Sequence, residues 1–361
     1  MGLKICVYAI CRNEEQFVNR FLDSAIDADR ICIADTGSTD GTVQAILDWS
    51  KSDKSHFDKI QLDHISIKPW RFDHARNAGL ALVPDDIDVC FSVDLDEVLQ
   101  TGWREEIERL WVPGVTTRME YFYNWGMDRV FNYQKIIARH GYYHTHPCHE
   151  YEKPDPRTVE SWVYSQKLLV VHMPDGTKSR GSYIDLLAAS VQEDPYCSRN
   201  AFYYARELSF YAKWEESIKE LDRYLAMPSS IWSYERAYAC ITKGRCYIAL
   251  GDKEKAFAAF MDAVKETPNE REPWCALALL CFGERWAEMF GYAMRALSIT
   301  QRQWHYCVDP DCWESLPHSL ACVSAWNLGL KDLALEQGRI AVTKKPSSFC
   351  DAVANLASMG G

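Results

Sequence analysis

The chain has 361 residues, 47% of them hydrophobic and 25% charged, with a formal net charge of −11. That is an ordinary globular balance with room for about two domains. The acidic balance disfavours a duplex nucleic-acid surface, which is usually basic. No apolar run reaches about 18 residues, so a membrane span has no support.

Taken in chain order, residues 3–11 are apolar and β-rich, and residues 14–26 carry helical spacing (Phe17, Phe21, Leu22, Ala25). A second strand is expected over 30–34, a helix from about 39 to 49, a third strand over 59–67, a helix over 73–82 and a fourth strand over 88–93. Strands alternating with helices of this length predict βαβ units and a mainly parallel sheet. After Pro113 the pattern changes. Residues 115–123, 134–138 and 167–172 read as separated strands of a mixed sheet edge, with aromatic and His-rich loops between them.

From about Ser182 the chain reads as all-helical, with a repeat. Gly244, Tyr247, Ala256, Phe260, Ala263 and Pro268 stand at tetratricopeptide (TPR) offsets, with Gly251 at the inter-helix turn. Small residues there let two helices touch, aromatics fill the gaps, and Pro ends the unit. Weaker copies surround Trp214, Ser217, Leu221 and Pro228, and Gly329, Ala334, Ala341 and Pro346. A degenerate unit carries Trp274, Ala278, Ala293 and Ala296. The expected domains are 1–180, α/β, and 181–361, all-α and TPR-like.

The fourteen cysteines are scattered, several within apolar runs (Cys6, Cys32, Cys90, Cys240, Cys281). Buried free thiols of a reducing compartment are expected rather than a disulfide framework. Cys307 and Cys312 lack a second pair to complete a zinc site. The N-terminal residues enter a strand pattern directly, without a cleavable signal layout, and Cys6 stands where a myristoylation signal has Ser or Thr. A cytoplasmic protein is the expectation.

The chemistry concentrates where strands end. Phe91-Ser92-Val93-Asp94-Leu95-Asp96-Glu97 breaks from an apolar strand into three acids within four positions. Carboxylates so crowded repel one another unless a cation sits among them, and Mg²⁺ or Mn²⁺ is commonly held by one or two carboxylates plus substrate phosphates. Acids after a strand also cap helices, and Asp96 or Glu97 could do so here. Ala9-Ile10-Cys11-Arg12-Asn13-Glu14-Glu15 follows the first strand and Asp35-Thr36-Gly37-Ser38-Thr39-Asp40-Gly41-Thr42 the second. Both should lie on the ligand-binding edge of a parallel sheet. Neither Gly-x-Gly-x-x-Gly nor Gly-Lys-[Ser/Thr] is present, so the dinucleotide fold and the P-loop lack support.

These segments, with Phe72-Asp73-His74-Ala75-Arg76-Asn77 before a helix and Asp94-Leu95-Asp96-Glu97 in the place of a DXD motif, resemble family 2 glycosyltransferases of the GT-A fold. The resemblance covers roughly residues 3–175, and it is similar to the branch that adds His-Glu, a later His and TPR-like helices. It implies a Rossmann-like, mainly parallel mixed sheet and transfer from a nucleotide-sugar, UDP-linked in the first instance, with inversion and with Mn²⁺ or Mg²⁺. It further implies that Asp35 meets the base or ribose, with Ile10, Arg12 and Asn13 lining the donor. Arg76 would serve the diphosphate, a role suited to guanidinium, and Asp94 and Leu95 the ribose or sugar. Asp96 and His172 would hold the metal, and Glu150 would be the general base. Many relatives carry Asp-Asp after the second strand, and Thr36 replaces the second acid here.

His140, His144, His146 and His149 crowd ten positions, but their spacing suits neither His-Glu-x-x-His nor a zinc finger. They read as a polar acceptor loop with Tyr142, Tyr143 and Tyr151, in which His149 orients Glu150. Arg118, Glu120, Tyr123, Trp125 and Asp128 suit a sugar-binding surface or core packing equally. Competing readings are a sugar nucleotidyltransferase, opposed by the Gly-free acidic segment after the first strand, and a TPR scaffold with an inactive N-terminal domain. The acceptor could be a glycan, lipid, peptide or modified nucleobase. The helical half is expected to mediate self-association or to hold that acceptor.

Overall fold

Strands buried on both faces read as unbroken apolar runs, and that is how the centre of the N-terminal sheet is built. The computed structural model describes residues 2–126, 129–176, 183–347 and 351–359. The chain divides into two units, Met1–Ser190 and Val191–Gly361. The domain boundary expected at 180/181 lies outside the described residues.

In the first unit, β1 (Ile5–Cys11), β2 (Arg30–Asp35), β3 (Ile60–His64) and β4 (Val89–Ser92) pair in parallel in the order β3-β2-β1-β4. Their crossovers carry α1 (Val18–Ser24), α2 (Thr42–Ser52), α3 (Lys54–Phe57) and α4 (Phe72–Leu82). The sheet continues with β5 (Glu97–Leu99), β6 (Arg118–Asn124), β7 (Val130–Ala138) and β10 (Trp162–His172), and its full order is β3-β2-β1-β4-β7-β6-β10-β5. Here β7 runs antiparallel to both β4 and β6, while β10 runs parallel to β6 and antiparallel to β5. α5 (Trp103–Leu110) follows β5, and β8 (Tyr142–Thr145) with β9 (Tyr151–Pro154) forms a separate two-stranded ribbon. The mixed α/β sheet expected from the sequence is therefore present. Chain order reverses between β1 and β4, so the crevice at their carboxyl ends is the ligand position favoured in open sheets.

Some elements differ from the expectation. The helix expected over 14–26 is a 3-10 turn over Glu15–Phe17 followed by the short α1. β10 begins five residues early because a bulge between Tyr164 and Leu169 admits polar residues into it. Ser165 staples that bulge: its Oγ accepts the N–H groups of Lys167 and Leu168 and donates to Glu106 at 2.7 Å.

The second unit is all-helical beyond α6 (Tyr183–Glu193), which crosses the division. α7 (Ser198–Phe210) packs on α8 (Trp214–Ala226), α9 (Ser233–Ala249) on α10 (Lys253–Glu266), α11 (Arg271–Leu280) on α12 (Trp286–Ser298), and α13 (Ser315–Asn327) on α14 (Lys331–Val342), before α15 (Ala352–Ser358). The small residues picked out by the repeat are the contact points. A Cβ on Gly244 would lie 2.3 Å from the Phe260 ring, so only glycine allows α9 and α10 to approach as they do. Ser217, Ala256, Ala263, Ala278, Ala293, Ala296 and Ala334 are fully buried. Gly251 and Gly329 turn between paired helices at φ of 81° and 78°, a conformation that glycine adopts without penalty.

Candidate functional site

The polar segments after β1 and β2 are stitched into one edge. Asn13, at φ 55°, accepts the Thr39 N–H at 2.7 Å through its side chain, and its own N–H donates to Ser38 Oγ. Thr36 donates both its N–H and its hydroxyl to the Cys11 carbonyl. Glu15 accepts the Gly41 N–H at 3.1 Å, and a Cβ at Gly41 would collide with that carboxylate. Ile10 is half-buried at the end of β1, and Arg12 and Asn13 are exposed beside it. Asp35 is buried within the loop it begins. Burial works against its charge, but hydrogen bonds from Ser38, His64 and Gly37 outweigh that and lower its pKa.

After β4 the acids separate into different environments. Leu95 is buried, so Asp94 and Asp96 take the other side of the turn. Asp94 is gripped by Arg76 Nη2, in a short ion pair, and by Lys135 Nζ at 3.2 Å. Arg76 Nε also donates to Glu150 Oε1 at 3.0 Å, which places the candidate base one guanidinium away from Asp94. Glu97 is buried as a brace. It accepts from the Asp94 N–H (2.9 Å), the Tyr123 hydroxyl (2.8 Å) and Lys135 (3.1 Å). Burial opposes the Asp94 charge, yet Arg76 and Lys135 hold its carboxyl well below the usual carboxylate range. For Glu97 burial prevails over the help of Lys135 and its pKa is raised. Arg76 Nη1 is buried and has no hydrogen-bond partner among the described residues.

Glu150 is delivered by the β8–β9 ribbon, which α4 holds in place. Asn77 pairs with His144 as one strand pairs with another: its amide donates to the His144 carbonyl at 2.8 Å and accepts the His144 N–H at 2.7 Å. His146 and His149 both adopt positive φ (78° and 53°) just ahead of Glu150. Strained backbone of this kind persists only where its surroundings over-determine it. Glu150 is 14% exposed at its side chain, and Oε2 has no hydrogen-bond partner among the described residues. The histidines do not act as a group. His144 is buried against the Tyr8 hydroxyl at 2.8 Å, and the His149 ring packs on Tyr183.

Asp96 faces His172, with 3.3 Å between Oδ2 and Nε2, and its carbonyl accepts the Met173 N–H. His172 lies between Tyr123 and Trp125. Burial lowers its pKa, but Asp96 outweighs burial and the net shift is upward. A hard carboxylate oxygen and an imidazole nitrogen at this separation suit a divalent ion that completes its shell with phosphate oxygens and water. Of the residues suggested for sugar contact, Arg118 and Tyr123 are buried, with Arg118 paired to Glu160, and Glu120 accepts from Gln134. Trp125 is exposed beside His172, and Asp128 lies outside the described residues.

Residues 6–113 match the family model for glycosyl transferase family 2. Among curated proteins, 108 residues align at 31% identity with the lipopolysaccharide core biosynthesis glycosyltransferase LpsC of Rhizobium meliloti (strain 1021). That alignment covers 30% of this chain and 37% of the relative, so the chain spans little more than a third of the relative's length. Solved structures similar to the helical part include the TPR protein YrrB (18% identity, TM-score 0.37, 48% of this chain and 81% of that one). MamA from Desulfovibrio magneticus RS-1 is another (13%, 0.36, 45% and 84%). The TPR-like character of the helices rests on their own packing.

The segment matched by that model contains Ile10, Arg12, Asn13, Asp35, Arg76, Asp94, Leu95 and Asp96, and it ends before Lys135, Glu150 and His172. The fold brings those three to the same crevice. Sequence reasoning passed over Lys135, whose signal was a lone cation in a strand that also carries Val130, Phe131, Tyr133, Ile136 and Ile137; buried lysines are almost always paired. It also gave no role to Asn77, although that residue stood in the quoted motif.

Proposed function

We propose that the N-terminal unit is an inverting, metal-dependent glycosyltransferase that uses a nucleotide-sugar, UDP-linked in the first instance, and a hydroxyl or thiol acceptor. The observation that carries this reading is the meeting of Asp94, Arg76 and Glu150 through one guanidinium at the β1/β4 crevice, with Asp96 and His172 paired at the end of β10. Arg76 and Lys135 supply two positive charges against Asp94, Glu97 and Glu150, while Asp96 stands outside that balance. Asp96 and His172 would hold Mn²⁺ or Mg²⁺, which when bound neutralises the departing diphosphate.

The remaining work falls to the chain's own groups. The segments after β1 and β2 hold the nucleoside, Asp94 takes a sugar or ribose hydroxyl, and Arg76 keeps Asp94 and Glu150 in register. Glu150 Oε2 accepts the acceptor's proton as its oxygen or sulfur attacks the anomeric carbon, opposite the leaving diphosphate, which inverts that centre. The helical unit is proposed to present the acceptor or to join copies of the chain.

A panel of nucleotide-sugars tests the reading, with donor hydrolysis and thermal stabilisation measured with and without Mn²⁺. UDP-sugars with Mn²⁺ should raise the melting temperature and turn over slowly. A panel in which no donor binds or turns over under either condition refutes the proposal.

A further inference from the structure

The carboxylate that the resemblance assigns to the nucleobase or ribose is fully engaged by the chain's own groups. Asp35 Oδ1 accepts the Ser38 N–H at 3.1 Å and receives the Cys11 thiol at 3.7 Å. Its Oδ2 accepts the Gly37 N–H at 3.1 Å and lies 3.1 Å from His64 Nδ1. Only 2% of the side chain is exposed. A carboxylate offers about four lone-pair sites, and these partners leave none for a ligand.

His64 is placed in the opposite way. It ends β3 directly across from Asp35 in the parallel register, and 66% of its side chain is exposed. An ionised carboxylate can only accept, so the proton between them belongs to Nδ1. In the neutral form of the ring Nε2 is then the acceptor nitrogen, and it has no hydrogen-bond partner among the described residues. The spacing also suits a nucleotide. β4, β1, β2 and β3 are successive neighbours, so His64 stands three strand spacings, ~14 Å, from the strand bearing Asp94. An extended nucleoside diphosphate placed with its phosphates at β4 would cross β1 and β2 toward β3.

We propose that His64 Nε2, fixed in tautomer and direction by Asp35, accepts the ring N–H of the donor's nucleobase. This rests on the reading of the donor as a uridine diphosphate sugar, uracil offering its N3–H for one acceptor.

The test is calorimetric binding of UDP and of N3-methyl-UDP, with Mn²⁺, to the full-length wild type and to His64→Ala and His64→Gln. The wild type should prefer UDP by about two- to tenfold, the worth of one net hydrogen bond. His64→Ala should bind both ligands alike at the weaker affinity, and His64→Gln, which retains an acceptor oxygen, should recover part of the preference. His64→Ala removes one of the hydrogen bonds to Asp35, so its melting is measured beside the wild type, and a variant that still melts cooperatively separates lost recognition from lost folding. A preference retained in His64→Ala would assign the N3–H to another acceptor and overturn the inference, as would a wild type that binds UDP without discrimination. A wild type that binds no uridine nucleotide overturns the donor reading itself, an outcome distinct from both.

Discussion

Lys135 is the residue whose removal should show most clearly how the site is held together. Its ammonium lies 3.2 Å from Asp94 and 3.1 Å from Glu97, and its side chain is 12% exposed. Lys135→Met keeps the volume and removes the charge, leaving Asp94, Glu97 and Glu150 with Arg76, which pairs with Asp94 and Glu150, as the remaining cation of that balance. Breaking a buried ion pair by deleting one partner costs about 3–5 kcal/mol. In a unit of this size about 1 kcal/mol moves the melting temperature by roughly 2–4 °C, so a loss on the order of 10 °C is expected at pH 8. The sign of the pH dependence follows from Glu97, whose folded pKa is already raised by burial and is held down in part by Lys135. Without the lysine it rises further. Stability from such a group is fully present below its unfolded pKa, near 4.5, and is lost as pH rises through its folded pKa. The deficit of Lys135→Met relative to wild type should therefore be largest at pH 8 and shrink toward pH 5. Calorimetric melting of wild type, Lys135→Met and Lys135→Met/Glu97→Gln across that range measures it, and the double variant should regain much of the loss. A deficit below about 1 kcal/mol at pH 8, or one independent of pH, would refute the charge balance argued for this site.

The other expectations concern chemistry, packing and the helical unit. Asp96→Ala should abolish Mn²⁺-dependent stabilisation by UDP in melting curves, whereas Glu150→Gln should keep that stabilisation and lose transfer; full transfer by Glu150→Gln removes it as the base. Asn77→Ala frees the two His144 backbone groups that hold the Glu150 ribbon to α4. It should lower kcat at least tenfold with donor KM little changed, and a fall in donor affinity alone would contradict its role. In the helical unit, burial pushes Glu270 up to about 8 and Glu272 up to about 7. Both fold best protonated, so this unit should lose on the order of 5 kcal/mol between pH 5.5 and 8.5. Glu272→Gln, which keeps an acceptor for the Asp309 N–H and the Trp313 indole, should flatten that slope in urea titrations.

Legibility in the sequence followed the range of the forces involved. β1, β2 and β4 are buried on both faces, so their apolar runs stand out without reference to any partner. β5, β8 and β9 have three or four residues each; β5 is made a strand by pairing with the distant β10, and β8 and β9 by pairing with each other across an irregular loop. The bulge at Ser165 made the first half of β10 look like a loop, because polar residues replace the alternation there. The repeat helices were readable for the converse reason. Gly244 and Phe260 lie on adjacent helices of one hairpin, and their contact dictates a local spacing.

The site divides along the same line. Asp94, Asp96 and Glu97 announce themselves because like charges within four positions need an explanation. The groups that supply it come from elsewhere in the chain: Lys135 lies 41 residues from Asp94, and Arg76 lies 74 from Glu150. A lysine in a strand reads as solvent-facing until the sheet order places β7 beside β4. The resemblance therefore carried the acids of the crevice and Arg76, while the pairing of Arg76 with those acids and the second cation, Lys135, had to be read from the fold. Buried carboxylates this close cannot all remain ionised without those cations. A chain that kept the Asp94-Leu95-Asp96 motif but lost Lys135 would thus retain the recognisable signature while Asp94 and Glu97 moved toward protonation.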